Sequence, residues 1–427
     1  MSGKELILDG VNMVSLAKSI GTPVMVYSQS EIERMLEIFK KNLVSEKFET
    51  QVLYAGKAFT CPAMLALVNA ADCGLDAVSG GEIDIAARAG FPMEKIFFHG
   101  NNKTPCEIRQ ALECGVGTFV IDSETELENV IAAAEETGKS TQAVIRVNPH
   151  ISAHTHKYDV TADRDSKFGI SIDKFDVIME MIKKIDACDN ITFKGFHSHI
   201  GSQIFDKDAF VTEIDTMIAF MANFEKQGAN IPWLDIGGGF ASTYTEEDEP
   251  IPVPEVCETI IAAAENAAER YGVKLDKLFI EPGRSIVAEA GVTLYTIGGS
   301  KNTYSKKYIF IDGGMSDNIR PALYQAKYNC DVANRMDEEK CDVVTVAGKC
   351  CESGDVIIED IAVQKSEVGD VLVVYTTGAY GYSMASNYNR IGRPPVVFVK
   401  DGSARCVIRR ETYADMAILE CDCQIEV

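Results

Sequence analysis

The sequence predicts an α/β protein: a (β/α)8 TIM-type barrel joined to a second, mostly β domain that also takes in the N-terminal segment. Three observations carry that expectation. Between Ser30 and Glu281, eight short apolar runs alternate with amphipathic helical patterns, and eight βα units over roughly 250 residues match a closed barrel. After Pro282 the helical patterns nearly vanish, and short β-runs separated by turn residues take their place. Polar and glycine-rich residues gather just behind the apolar runs, on the rim where barrels carry their sites. A doubly wound open sheet is the alternative, and the number of units favours closure. The boundaries expected are residues 28–283 for the barrel, with 1–27 and 284–427 for the β domain.

Taken in order, the first helix places Ile32, Met35, Leu36, Phe39 and Leu43 on one face. The barrel strands are expected at Val52–Ala55, Leu75–Val78, Ile96–Phe98, Thr118–Ile121, Ala143–Val147, Phe193–His197, Trp233–Ile236 and Leu278–Ile280. Thr60 and Pro62 mark a helix start, and Gly90, Gly115 and Gly138 mark helix stops. Two loops exceed what connection requires. The polar stretch Asn148–Gly169, with His150, His154 and His156, suggests a lid. Phe240–Pro254 is acidic and proline-rich and reads as solvated surface. Beyond the barrel, strands are expected at Tyr308–Ile311, Val343–Val346, Val356–Ile361, Val371–Tyr375, Val396–Val399 and Cys406–Arg409. Short helical stretches fall near Arg320–Lys327 and Tyr380–Tyr388, and Pro23–Tyr27 is free to pair with this β domain.

Composition narrows the function. The 427 residues hold 64 acidic and 41 basic side chains, a formal charge of −23. A nucleic-acid binder needs a basic footprint, and none is present. An anionic substrate would need local arginines against this background. Thirteen scattered cysteines show no zinc spacing, so reduced thiols in a cytoplasmic protein are expected, with no metal. The first residues do not read as a signal peptide, and no apolar run reaches ~18 residues, so no membrane span is expected. All six histidines lie between His99 and His199, which directs attention to that region.

The chemistry-bearing residues fall at strand ends. Lys57 follows the apolar run Val52–Ala55, where burial would lower its pKa and free a nucleophilic amine. A salt-bridged or solvated lysine reads the same from this segment alone. Asp76 lies in the second strand, and His197, His199 and Ser202 end the sixth. Gly237-Gly238-Gly239 follows the seventh and lets bare amides approach an anion, although a flexible turn has the same sequence. Barrels commonly hold phosphate behind strands seven and eight, and Arg284 adds a fixed charge there. Glu281 ends the eighth strand, either as a paired buried acid or as a carboxylate beside a pyridine nitrogen. In the β domain, Arg320 and Tyr324 stand one helical turn apart, Cys351 adjoins Glu352, and Gly378-Ala379-Tyr380 reads as the opening of a helix.

Together these motifs resemble the diaminopimelate decarboxylases, members of the alanine-racemase-like, fold type III pyridoxal-phosphate decarboxylases that close bacterial lysine synthesis. The resemblance spans nearly the whole chain. It rests on Tyr54-Ala-x-Lys57-Ala, His197-Ser-His199-Ile-Gly-Ser202, Asp235-Ile-Gly-Gly-Gly239-Phe, Glu281-Pro-Gly-Arg284, Gly313 to Tyr324, Cys351-Glu352-Ser353, and Gly378-Ala-Tyr380 with Met384-Ala-Ser-Asn387-Tyr388. It implies that Lys57 carries pyridoxal 5'-phosphate covalently, that His199 stacks on the ring and that Glu281 pairs with the pyridine nitrogen. Ser202, Gly238, Gly239, Gly283, Arg284 and Tyr380 would hold the cofactor, mostly at its phosphate, with Asp76 an acid near the lysine. Arg284, Arg320, Tyr324, Glu352 and Tyr380 would bind the amino-acid substrate. Cys351 would return a proton to the substrate carbon. The resemblance further implies that the β domain completes the active site. Cys351 and Glu352 would come from the partner subunit of a homodimer with shared sites. Gly348-Lys349-Cys350 departs slightly from the family's more usual Gly-Pro-x.

The rival reading is a related decarboxylase of ornithine, arginine, carboxynorspermidine or a D-amino acid. A substrate ending in a bare amine needs a distal acid, whereas Arg320 with Tyr324 favours a second carboxylate. Alanine racemase would use a tyrosine base in place of the thiol donor. A non-catalytic pyridoxal-phosphate protein would be free to lose Cys351 or Arg320, and both are present.

Overall fold

The computed structural model describes residues 4–151 and 165–423. Their chain divides into two compact units, one of Glu33–Ser242 and Glu249–Ile286, the other of Met1–Ile32, Thr243–Asp248 and Val287–Val427.

The first unit is the barrel. Its strands are β1 (Glu49–Ala55), β2 (Gly74–Ala77), β3 (Ile96–Phe98), β4 (Thr118–Ile121), β5 (Thr141–Asn148), β6 (Ile191–His197), β7 (Trp233–Asp235) and β8 (Lys277–Ile280). All neighbours are parallel and follow chain order. Closure is explicit, since Lys277 of β8 pairs with Glu49 of β1 and Ile191 of β6 with Thr141 of β5. Parallel strands are covered on both faces, and these are buried almost throughout, which is why they read as apolar runs. Inside, Leu53, Phe97, Val120, Val144 and Phe279 form a core cluster with Trp233 against it. Phe97 and Phe279 lie 4.9 Å apart between ring centres. The register slips between Phe193 and Gly195 of β6. A Cβ on Gly195 would lie 1.9 Å from the Trp233 carbonyl oxygen, so β6 and β7 close together only over a glycine.

Local chemistry sets the helix ends. Thr104 and Glu107 form a capping box at Pro105–Cys114, and Gly115 ends that helix in the left-handed region. Gly138 does the same for Glu124–Thr137. Ile32, Leu36 and Phe39 bury the face of Gln29–Asn42, while Met35 is half-buried.

The second unit is built around Gly291–Asn302, a strand the sequence pattern did not reveal. It pairs with Val24–Ser28, Val371–Val374 and Lys307–Ile311. Its first five residues are all buried, so polar and apolar positions do not alternate, and Gly298-Gly299 breaks the run. Val24–Ser28 also lies parallel to Val396–Lys400. Asp342–Ala347, Val356–Val363 and Ser403–Ile408 extend the sheet, and Cys330–Val332, also unforeseen, pairs with Val371–Val374. The apolar side packs Met13, Val14, Val24, Val26, Leu294, Val373 and Val397 together.

Two expectations change. The stretch 240–254 is not simply solvated surface, because Phe240, Ser242 and Tyr244 are buried while Glu246, Glu247 and Glu249 stay exposed. Phe240 packs on Phe39 and Phe210, with ring centres 5.2 and 5.3 Å away, so two aromatics override an acidic composition. No helix opens at Gly378, where Tyr380 takes a left-handed φ of 60°; short 3-10 turns form instead at Tyr382–Met384 and Tyr388–Arg390. The lid expected at 148–169 falls largely outside the described residues. None of the thirteen cysteines forms a disulfide, and among the described residues no helix is long and apolar enough to cross a membrane.

Candidate active site

β1 delivers Lys57 through the 3-10 turn Gly56–Ala58. The turn is fixed by the Tyr54 hydroxyl donating to the Phe59 carbonyl at 2.7 Å and the Thr60 hydroxyl to that of Gly56 at 2.6 Å. Gly56 and Ala58 are buried, but Lys57 is exposed, which corrects the expectation of a desolvated amine. The turn lies beyond the buried strand, and the Lys57 charge still acts on the buried Asp76 and His199.

At the opposite end of the circuit, β8 leads into Glu281, 7 % exposed. His197 from the end of β6 places Nε2 3.2 Å from one carboxylate oxygen. His99, just past β3, places Nε2 2.7 Å from the other and 3.7 Å from Asp76 on β2. The two imidazoles meet edge to face, with centres 4.9 Å apart. Burial raises the Glu281 pKa, yet His99 and His197 outweigh it and hold the group well below the usual carboxylate range. Burial and the charge of Glu281 push Asp235 well up, and burial raises Asp76. Burial also pulls His197 down to about 3. One carboxylate thus keeps its charge while the neighbouring acids are driven toward neutrality. The Oε1 of Glu281 is buried and, despite its short approach to His99, lacks an aligned hydrogen-bond donor among the described residues.

Behind β7 the backbone turns on glycine. Asp235 accepts the Gly237 amide at 2.9 Å, and Gly237 and Gly239 take φ of 67° and 105°. A Cβ on Gly238 would lie 2.2 Å from the Glu281 carbonyl oxygen. The Gly238 N–H donates to His199 Nδ1 at 3.3 Å, leaving the proton of the neutral ring on Nε2. Burial, then the charges of Lys57 and Arg146, keep His199 neutral. Arg284, 6 % exposed, donates from Nη2 to the Ser202 hydroxyl at 2.9 Å. Beneath this rim, Ser198 donates to Glu213 at 2.7 Å, and burial pushes that carboxyl up to about 8.

The β unit gathers a second group. Arg320 starts the helix Arg320–Tyr324, is 6 % exposed, and donates from Nη1 to the hydroxyls of Tyr244 and Tyr328 at 2.9 and 3.0 Å. The guanidinium also faces Tyr324 and Tyr380, 5.9 and 5.8 Å from their ring centres. Cys351 and Glu352 are exposed on the loop before the buried Asp355. The Asp355 carboxylate accepts the amides of Met315 and Cys350, each at 2.7 Å, and so ties the Gly313–Tyr324 segment to the Cys351 loop.

Each unit therefore assembles its own share of the expected residues. Lys57, Asp76, His199, Ser202, Gly238, Gly239, Glu281, Gly283 and Arg284 belong to the barrel unit, and Arg320, Tyr324, Cys351, Glu352 and Tyr380 to the β unit. The sequence reading overlooked His99, Arg146, Tyr244, Tyr328 and Asp355. His99 and Arg146 follow the same strand-end rule that marked Lys57 and Glu281. Arg146 stands on β5 among Asp122, Glu281, Asp76 and Asp235.

Residues 29–288 match the pyridoxal-binding domain of the pyridoxal-dependent decarboxylases, and that match makes this parallel barrel, with its rim lysine, ionised buried carboxylate and glycine turn, a pyridoxal-phosphate-dependent decarboxylase. Two features of the structure fit that cofactor. The buried Glu281, held ionised by His99 and His197, suits a protonated ring nitrogen, and the side-chain-free Gly237–Gly239 turn suits a phosphate. The chain is 45 % identical over 417 residues to the diaminopimelate decarboxylase of Bacillus subtilis, covering 97 % of this chain and 95 % of that one. It is 44 % identical to that of Staphylococcus aureus, with 97 % of each covered. A solved diaminopimelate decarboxylase from M. jannaschii, in complex with L-lysine, superposes with a TM-score of 0.89 at 34 % identity, over 98 % of this chain and 96 % of that one. The chain belongs to the diaminopimelate decarboxylase family.

Proposed function

We propose that this chain decarboxylates meso-2,6-diaminopimelate to L-lysine and CO2, the last step of bacterial lysine biosynthesis. One observation carries the choice of substrate. Arg320 is a buried guanidinium whose side-chain hydrogen bonds, among the described residues, go only to tyrosine hydroxyls. A buried cation without an acid beside it is costly, and a substrate with a second carboxylate supplies that acid. A substrate ending in a bare amine, such as ornithine, would need an acid in its place.

When bound, pyridoxal phosphate supplies an electron sink for the bond between Cα and the departing carboxylate. We assign Lys57 as the amine that holds the cofactor, and neutral His199 as the cover of its ring. Glu281 accepts from the ring nitrogen, with His99 and His197 keeping it ionised and Asp76 close to the lysine. Ser202, Gly238, Gly239, Gly283, Arg284 and Tyr380 hold the phosphate end. Arg320, with Arg284, Tyr324 and Tyr380, binds the substrate, and Glu352 takes its distal ammonium. Cys351 returns a proton to Cα.

In this reading the barrel carries the cofactor and the β domain completes the site. Cys351 and Glu352 serve the partner's cofactor, so the working enzyme is a homodimer. Thirteen cysteines without a disulfide support a cytoplasmic location, and the charge of −23 argues against nucleic acid as a partner. Borohydride reduction of the cofactor-loaded protein, followed by peptide mapping, tests the assignment. The label should sit on Lys57 and be lost in Lys57→Ala; a label elsewhere, or none, would end the reading.

A further inference from the structure

We propose that Tyr244 and Tyr328 are positioning residues that set substrate choice: they turn Arg320 so that the Nε–Nη2 edge of its guanidinium meets the distal carboxylate side-on. This rests on the substrate reading above.

A guanidinium has five N–H donors in one plane. In Arg320 the two on Nη1 are matched by two acceptors, the Tyr244 and Tyr328 hydroxyls at 2.9 and 3.0 Å. Among the described residues neither Nε nor Nη2 has a hydrogen-bond acceptor or a carboxylate in ion-pair range. The edge that remains carries two parallel N–H vectors, the geometry a carboxylate takes in bidentate pairing.

The two tyrosines are themselves held. Their rings pack edge to face with centres 5.5 Å apart, and Tyr328 is 3 % exposed. Tyr244 rides on a short strap whose amides at Tyr244 and Thr245 both donate to Asp248, at 2.9 and 2.8 Å. The strap is further pinned by the Thr376 hydroxyl donating to the Thr243 carbonyl at 3.0 Å, and by the Thr243 amide donating to Glu289 at 2.9 Å. The Tyr244 ring also lies over the guanidinium, 5.1 Å from centre to Cζ. Rotation about the last side-chain bonds of Arg320 is thereby stopped before any substrate arrives, so its fork is pre-organised.

The test uses the cofactor-loaded enzyme and three variants, Tyr244→Phe, Tyr328→Phe and the double change, each of which keeps the ring and removes only a hydroxyl. Steady-state kinetics are measured with meso-diaminopimelate and with L-ornithine, which lacks the distal carboxylate. KM for diaminopimelate should rise about tenfold in each single variant, the size expected when a hydrogen bond to a charged group is lost. Its kcat should hold within about threefold, and kcat/KM for ornithine should not move, so discrimination falls by about tenfold. Unchanged discrimination, or an equal loss on both substrates, would overturn the proposal. Arg320→Lys separates this inference from its foundation. If that variant keeps full discrimination, the substrate reading itself fails, whatever the tyrosine variants do.

Discussion

Replacing Asp355 by alanine removes the acceptor that joins the Gly313–Tyr324 segment to the Cys351 loop. In the structure its carboxylate is 3 % exposed and takes the Met315 and Cys350 amides at 2.7 Å each. The Cβ positions of Gly314 and Gly348 would lie 2.5 and 2.2 Å from that carboxylate, so both loops are folded tightly around it. Each hydrogen bond to a charged group contributes about 1.5–3 kcal/mol, and alanine leaves two amides without a partner. The expected loss is about 3–6 kcal/mol, a fall in Tm on the order of 10 °C for a unit of this size. Asp355→Asn keeps the volume but turns an NH2 toward one amide, and should lose about half as much. Thermal unfolding followed by circular dichroism measures both, and kcat/KM for meso-diaminopimelate should drop with them as Arg320 and Cys351 lose their shared anchor. An Asp355→Ala protein that melts within about 1 kcal/mol of the parent, with unchanged kcat/KM, would refute this role for the carboxylate.

Glu213 links stability to pH. Burial raises its carboxyl from the ordinary 4.5 to about 8, so between those values the folded chain holds a proton that the unfolded chain has released. Its contribution is full below about pH 4.5 and is lost as pH rises through about 8. Glu213→Gln removes the titration, and denaturant melts should show the variant gaining on the parent as pH is raised from 5 to 8. A constant difference across that range would contradict the shift. Mixing inactive Lys57→Ala and Cys351→Ala chains should restore part of the activity if each site draws on two subunits. No recovery, with mixed dimers verified by tag pull-down, would remove the shared site.

Much of the barrel was legible because parallel strands buried on both faces leave apolar runs, and Gly115 and Gly138 punctuate the helices between them. The strand Gly291–Asn302 escaped because it shows neither alternation nor a clean boundary. Lys57, Glu281 and Arg284 stood out as polar residues immediately behind apolar strands. Tyr244 could not, since its meaning comes from Arg320, 76 residues away in sequence, and the acidic stretch around it resembles surface. Asp355 was invisible for another reason: it acts on backbone amides, which every sequence possesses. The exposure of Lys57 is a matter of a single 3-10 turn, a detail finer than strand-end position conveys.

Substrate choice is the point on which the proposed activity turns. The most direct measurement is steady-state turnover by the cofactor-loaded enzyme of meso-diaminopimelate beside L-ornithine and D-lysine, with CO2 and lysine both quantified. Equimolar CO2 and L-lysine from diaminopimelate, at a kcat/KM well above that of either monocarboxylic amine, is the expected result. Faster turnover of ornithine or D-lysine would contradict it.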